Sequence, residues 1–207
     1  MTYLNLRFPF RQALFFLFFA VPAYLWIDRE GLLLTTSLSP AWKPLFKGMT
    51  FLIFPPLHLG LWGAAFGWAK MRRSSLALPF FEIFSAQCAS VAFVRIFKLI
   101  FGRARPDIFL KKGIFGFYGW SENSHFHSFP SGHTIAAFTL ATSLALLFPR
   151  YRWAFIGGAL FLSMSRPLLS DHFLSDVLGT AAIGLGMGGV VHTLITIITR
   201  RYTYEKA

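Results

Sequence analysis

His172-Phe-Leu-Ser-Asp176-Val-Leu-Gly-Thr-Ala-Ala-Ile-Gly184-Leu-Gly186-Met-Gly188-Gly189-Val-Val-His192-Thr-Leu-Ile-Thr-Ile-Ile198 is the stretch that decides the fold. Beyond Asp176 it carries no Asp, Glu, Lys or Arg. It is long enough to cross a bilayer, which takes roughly 17–25 helical residues. Its glycines let a neighbouring helix backbone approach closely. The opening residues have a different chemistry. His172 and Asp176 lie four apart and share one face of a helix. A carboxylate beside an imidazole fixes its tautomer and stabilises its charged form.

The rest of the chain agrees with a membrane solvent. Its 207 residues are 55% hydrophobic and include 26 Phe, and the mean hydropathy is +0.56. These values predict an all-α, polytopic membrane protein, one domain over residues 1–207, with six transmembrane helices in one bundle. The expected spans run from about Gln12 to Ile27, Thr50 to Ala69, Leu76 to Phe101, Ser131 to Phe148, Trp153 to Ser165 and His172 to Ile198. Pro55-Pro56 is expected to kink the second. Gly157-Gly158 is expected to admit a close neighbour in the fifth. Arg7, Arg11 and Val21-Pro22-Ala23 have the form of a cleaved leader, but the apolar run continues to Ile27, which favours an uncleaved helix. Cys88, the single cysteine, is expected to be a packing residue.

The formal net charge is +12. The basic residues sit at the ends of apolar runs and in three short motifs, with no basic stripe on a soluble module. That distribution excludes a nucleic-acid reading and fits anionic headgroups and a phosphate substrate. Arg7 and Arg11, then Lys70, Arg72 and Arg73, then Arg150 and Arg152, then Arg200, Arg201 and Lys206 occupy short segments on one side. The positive-inside rule puts that side and both termini in the cytoplasm. The segment from Asp28 to Gly48 is expected to lie along the membrane surface. The loop from Asp107 to Phe129 is the longest and carries Phe115, Phe117, Tyr118 and Trp120.

The three motifs then face the extracytoplasmic side. The first is Lys98-Leu-Ile-Phe-Gly-Arg103-Ala-Arg105-Pro106, the second Pro130-Ser131-Gly132-His133, the third Ser165-Arg166 followed by His172 and Asp176. Two of them open helices, whose unpaired N–H groups and dipole suit an anion. Ser131 can donate a hydroxyl and Gly132 an unobstructed backbone N–H. Lys98, Arg105 and Arg166 add three cations, and a guanidinium matches phosphate geometry. Such donors balance the equatorial oxygens of a transferring phosphoryl group. His172, paired with Asp176, suits the nucleophile, and His133 suits proton donation to the leaving oxygen. Arg103 and Asp107 read as loop salt-bridge partners of little energetic weight. Glu82, Gln87, Arg95, His58 and His192 read as hydrogen-bonded structural groups within the bundle.

This set resembles the type-2 phosphatidic acid phosphatase family, whose members are metal-independent membrane phosphatases. The resemblance rests on Lys98 to Pro106, Pro130 to His133 and Ser165 to Asp176, matching in order. It implies phosphate binding by Lys98, Arg105, Ser131, Gly132 and Arg166, with His133 as acid, His172 as nucleophile and Asp176 as its partner. It implies no cofactor and no metal, and the scattered carboxylates have no ligand spacing. The expected partner is a phosphorylated membrane lipid in the bilayer. The family's candidates are phosphatidic acid, phosphatidylglycerol phosphate, undecaprenyl diphosphate and lipid A. The short soluble parts point to a bacterial inner membrane with the site facing the periplasm or exterior. Two rivals remain at this stage. One is a lipid phosphotransferase using the same phosphohistidine, separated by release of free phosphate. The other is a transporter with charges along a path, for which paired symmetric halves are wanting.

Overall fold

The computed structural model describes residues 7–204; Lys206, counted above for orientation, lies outside the described residues. The main helices are α1 (Arg7–Pro22), α2 (Asp28–Thr36), α3 (Lys43–Leu52), α4 (Pro55–Met71), α5 (Ala77–Phe101), α6 (Pro106–Lys112), α7 (Gly132–Leu147), α8 (Arg152–Ser163), α9 (Ser165–Leu168) and α10 (Leu174–Tyr204). No strand occurs among the described residues. Four helical stretches, 7–36, 40–71, 77–101 and 174–201, are long and apolar enough to cross a membrane. The other two expected spans are shorter, 16 residues in α7 and 12 in α8.

α10 is central and packs along α1 and α7, while α7 also packs on α5 and α8, and α4 on α5. Glycines set the α7–α10 distance. A Cβ at Gly184 would lie 2.8 Å from Cβ of Phe138, and one at Gly188 would lie 2.6 Å from Cβ of Thr142. Both clashes are with atoms close to a helix backbone, so only glycine permits this approach. The expectation for Gly157 and Gly158 does not hold, because nothing lies within 4 Å of a Cβ at either.

The surface is apolar and the interior is partly polar. Phe18, Trp26, Leu34 and Phe161 are exposed, whereas Thr134, Thr139, Thr142, Ser163 and Thr180 are fully buried. A water-soluble chain rarely exposes so much contiguous hydrocarbon, and lipid makes it favourable. Cys88 belongs to this outer surface and is exposed, not a packing residue. Several polar groups inside the bundle are satisfied as expected. His192 Nδ1 lies 2.9 Å from Glu82 Oε1, Gln87 Nε2 donates to the Ala136 carbonyl, and His58 Nε2 meets the Leu52 carbonyl.

Three boundaries differ from expectation in ways that matter for the site. The first helix does not stop at Ile27. It passes through a π-helical turn, Ala23–Ile27, and continues as α2, so Asp28 is buried rather than on a surface loop. A π turn re-aims the side chains that follow it. Pro55-Pro56 breaks the second stretch instead of kinking it. Proline lacks the N–H that a continuing helix needs, so α3 ends and α4 starts afresh at Pro55. α10 begins at Leu174, two residues after His172, so the expected dyad straddles a helix start.

Candidate active site

Gly102 ends α5 in the left-handed conformation, φ +50°. A Cβ there would lie 1.8 Å from the Gly119 carbonyl oxygen. Glycine is therefore obligatory, and it turns the chain directly into Arg103-Ala104-Arg105. That turn is tied down by backbone bonds. Tyr118 N–H donates to the Gly102 carbonyl, Ala104 N–H to that of Gly116, and Ser128 N–H to that of Arg103. Pro106 then opens α6 with its preset φ. The first motif is thus a rigid strap that presents Arg105 at the end of α5.

The second motif opens α7. Ser131 is its N-cap and is fully buried. Its N–H donates to Thr180 Oγ1 at 3.0 Å and its Oγ accepts from Thr134 Oγ1 at 3.1 Å, which leaves its own hydroxyl hydrogen uncommitted. The third motif comes from α9 and the turn before α10. Arg166 is buried, donates to Asp171 Oδ2 at 2.9 Å and reaches Thr50 Oγ1 at 3.3 Å.

These segments meet in one cavity of about 680 Å³. Lys98, Arg105, Gly132, His133, Arg166 and His172 line its polar end. Phe54, Pro55, Leu59, Val91 and Val94 line most of the rest, with Arg95 and His127 also on its wall. Of the sequence-derived set, Ser131 and Asp176 alone do not line it, and both are fully buried. His133 stacks on Phe54, with ring centroids 5.8 Å apart. Among the described residues Lys98 and Arg105 have no ion-pair partner. Two uncompensated cations beside a partly occupied third make a strongly anion-selective end. Among the described residues no cluster of His, Cys, Asp and Glu has the arrangement to hold a metal ion.

His172 is buried, 3% exposed. Burial, the largest influence, pushes its imidazole down to about 4 against the opposing pull of Asp176, and Arg166 and Lys98 add to the lowering. A ring held there is neutral at physiological pH. Its Nδ1 lies 3.8 Å from Asp176 Oδ2 and makes no hydrogen bond. The reason is the helix start. Asp176 Oδ2 accepts from the Phe173 N–H at 2.9 Å, the backward half of a capping box, and from Ser128 Oγ at 2.6 Å. The i, i+4 spacing therefore gives proximity but not the direct bond expected of it.

Arg103 is the residue that sequence reasoning misjudged. It is no loop salt bridge of little weight. It is 2% exposed, and its Nη1 donates to Asp176 Oδ1 at 2.6 Å while Nη2 donates to Asp28 Oδ2 at 2.6 Å. The rings of Tyr24, Phe117 and Phe173 lie 5.0–5.1 Å from its guanidinium carbon. The one available signal was an arginine immediately after a glycine in a strap rich in Phe. Asp107 does form an exposed pair, with His125 Nδ1 at 2.7 Å. His127 lines the cavity and its Nε2 meets the Ser121 carbonyl at 2.8 Å.

A model of the PAP2 superfamily matches residues 79–200, which contain all three motifs. The chain belongs to the PAP2 superfamily. Lipid A 1-phosphatase of Rhizobium etli is 40% identical over 119 residues, covering 58% of this chain and 50% of that protein. Lipid A 1-phosphatase of Rhizobium johnstonii is 46% identical over 89 residues, 43% of this chain and 36% of that one. The matched part is thus half or less of these relatives' length. A transmembrane PAP2-type phosphatidylglycerolphosphate phosphatase from Bacillus subtilis shares the fold, with a TM-score of 0.57 and 21% identity over 92% of this chain and 96% of that one. Asp28 and Tyr24, which hold Arg103, lie outside the part matched by the PAP2 model.

Proposed function

We propose that this PAP2 protein is a metal-independent lipid phosphate phosphatase working through a phosphohistidine. The observation that carries the reading is one cavity that brings Lys98, Arg105 and Arg166 together with His133 and His172 at its polar end, and whose remaining wall is mostly hydrocarbon. A phosphorylated lipid has the same two parts. The phosphate oxygens are received by Lys98, Arg105, Arg166 and the Gly132 N–H at the start of α7. The apolar wall between α4 and α5 takes the tail. The lipid A 1-phosphatase relatives favour a lipid A 1-phosphate among the candidate substrates.

The reaction has two steps. With Nδ1–H turned to Asp176, His172 Nε2 keeps its lone pair and attacks phosphorus. The P–O bond to the lipid breaks, and His133, protonated in the complex, gives its proton to the leaving alkoxide. A water then attacks the phosphohistidine, His133 takes its proton, and the P–N bond breaks to return His172 and inorganic phosphate. The cations act where charge develops on the equatorial oxygens, which is where electrostatic stabilisation is largest. Their charge does what a bound divalent ion would do in a metal-dependent phosphatase.

In this reading six stretches span the membrane. α7 and α8 are the short ones because the site is built where they start and end. The basic turns Lys70–Arg73 and Arg150–Arg152 support placing the motifs on the periplasmic side of a bacterial inner membrane. The test is phosphate release from a panel of lipid phosphates by purified protein in detergent with EDTA. Release of free phosphate from a lipid A 1-phosphate is expected. Silence across the panel, or turnover that needs added Mg²⁺, overturns the reading.

A further inference from the structure

We infer that Asp28, supplied by the first membrane stretch, is a positioning residue for catalysis that acts through Arg103 on the Asp176–His172 pair. The inference rests on the phosphatase reading above and extends it to a residue outside the three motifs.

Asp176 is fully buried and Arg103 donates to it at 2.6 Å. Taken alone, that pair is neutral. A neutral pair has little left to stabilise the imidazolium character that His172 gains on attacking phosphorus. Asp28 changes the count. It is 2% exposed and its carboxylate takes the other guanidinium nitrogen at 2.6 Å. Asp28, Arg103 and Asp176 as carboxylates and guanidinium together carry one net negative charge, buried, with Asp176 Oδ2 3.8 Å from His172 Nδ1. In a low-dielectric interior such a charge is felt much more strongly than in water.

Geometry makes the same assignment. Ser175 ties Asp28 and Arg103 together. Its N–H donates to Asp28 Oδ1 at 2.9 Å, its Oγ donates to Asp28 Oδ2, and the same Oγ accepts from Arg103 Nη2 at 2.8 Å. Asp28 thereby holds the first turn of α10, and with it the position of Asp176. Arg103 cannot swing away, because aromatic rings close over it from Tyr24, Phe117 and Phe173. The π turn ending at Ile27 is what aims Asp28 inward from α1. A purely structural role would need only a neutral hydrogen-bond acceptor there. A second buried carboxylate is an expensive choice unless its charge is used.

The test compares wild type, Asp28→Asn, Asp28→Glu and Ser175→Ala as full-length proteins in detergent. Turnover and KM for a lipid phosphate are measured alongside the inhibition constant of inorganic phosphate. Asp28→Asn is expected to lose about tenfold or more in kcat, short of the ~10⁴ seen when a triad carboxylate itself is removed. KM and phosphate inhibition should stay within about twofold, because Lys98, Arg105 and Arg166 are untouched. Asp28→Glu should recover most of the loss, since it restores the charge. Ser175→Ala should fall in kcat by severalfold with KM unchanged, and this arm decides if Asp28→Asn does not fold. Folded Asp28→Asn or Ser175→Ala protein with wild-type kcat overturns the inference while leaving the phosphatase reading intact. Loss of phosphate inhibition in step with kcat also overturns it, since the variant then acts on the binding site at large. A wild type inactive on every lipid phosphate removes both.

Discussion

The Asp171 carboxylate lies on the Arg166 guanidinium, Oδ2 to Nη2 at 2.9 Å. Asp171 is 43% exposed and immediately precedes His172, while the Arg166 side chain is only 9% exposed. An incoming phosphate must share or displace this internal anion. Asp171→Asn should therefore tighten inhibition by inorganic phosphate, by about two- to fivefold, the worth of a partly exposed pair of up to ~1 kcal/mol. Weaker inhibition in the variant would mean that Asp171 orients Arg166 for the ligand and does not compete with it.

Arg166→Lys should be far from neutral. Lysine cannot reach Asp171, Thr50 and a phosphate oxygen from one planar fork. A loss of about 10² or more in kcat/KM is expected, comparable to removing one preorganised oxyanion donor. Kinetics within about twofold of wild type, against that scale, would put Arg166 outside the phosphate shell.

Asp176→Asn should give folded protein that is nearly inactive. An amide can still accept from the Phe173 N–H and Ser128, but it cannot offset the charge on Arg103 or a developing imidazolium. The loss should approach the ~10⁴ of the analogous change in a serine-protease triad and appear in turnover. His172→Ala should be at least as damaging, and the double variant little worse, since the two act as a unit. Acid-labile phosphate should be trapped on wild type during turnover and be absent from His172→Ala.

The pH profile follows from the depressed His172. Its imidazole sits at about 4, below the ordinary ~6.5. In the proposed mechanism the neutral ring is the nucleophile, so lowering its pKa extends activity to more acid conditions. After division by the substrate's own ionisation near ~6, kcat/KM should show no acid-side fall between about pH 7.5 and about 5.5. An acid-side fall with its midpoint at or above ~6.5 would mean that His172 is charged in the free protein.

Gly102→Ala tests the strap that carries the first motif. The added Cβ meets the Gly119 carbonyl at 1.8 Å with φ already positive. The strap must open, and Arg103 then leaves two buried carboxylates uncompensated. Breaking a buried pair in this way typically costs about 3–5 kcal/mol. The variant should melt well below wild type in detergent and lose activity. A wild-type melting temperature would show that the strap has slack.

Sequence alone determined the solvent and the chemistry of the cavity's polar end. A long uncharged run can only be a helix in lipid or in a core, because every backbone polar group must be bonded within it. Lys98, Arg105, Gly132, His133, Arg166 and His172 are legible as candidates because residue types and their order are all that the proposed phosphate chemistry asks of a sequence. Their meeting in one cavity, and the support behind it, were decided by tertiary structure. His172 and Asp176 have the spacing of a bonded dyad, yet α10 starts at Leu174 and Asp176 is engaged by the Phe173 N–H. Arg103 reads as a solvated loop cation, and Asp28 as a surface acid at the end of an apolar run. Their burial against each other joins residues 75 positions apart. The worth of a charge depends on the medium and the partners around it. Those partners, Tyr24 and Phe117 among them, come from segments that a local pattern cannot bring together.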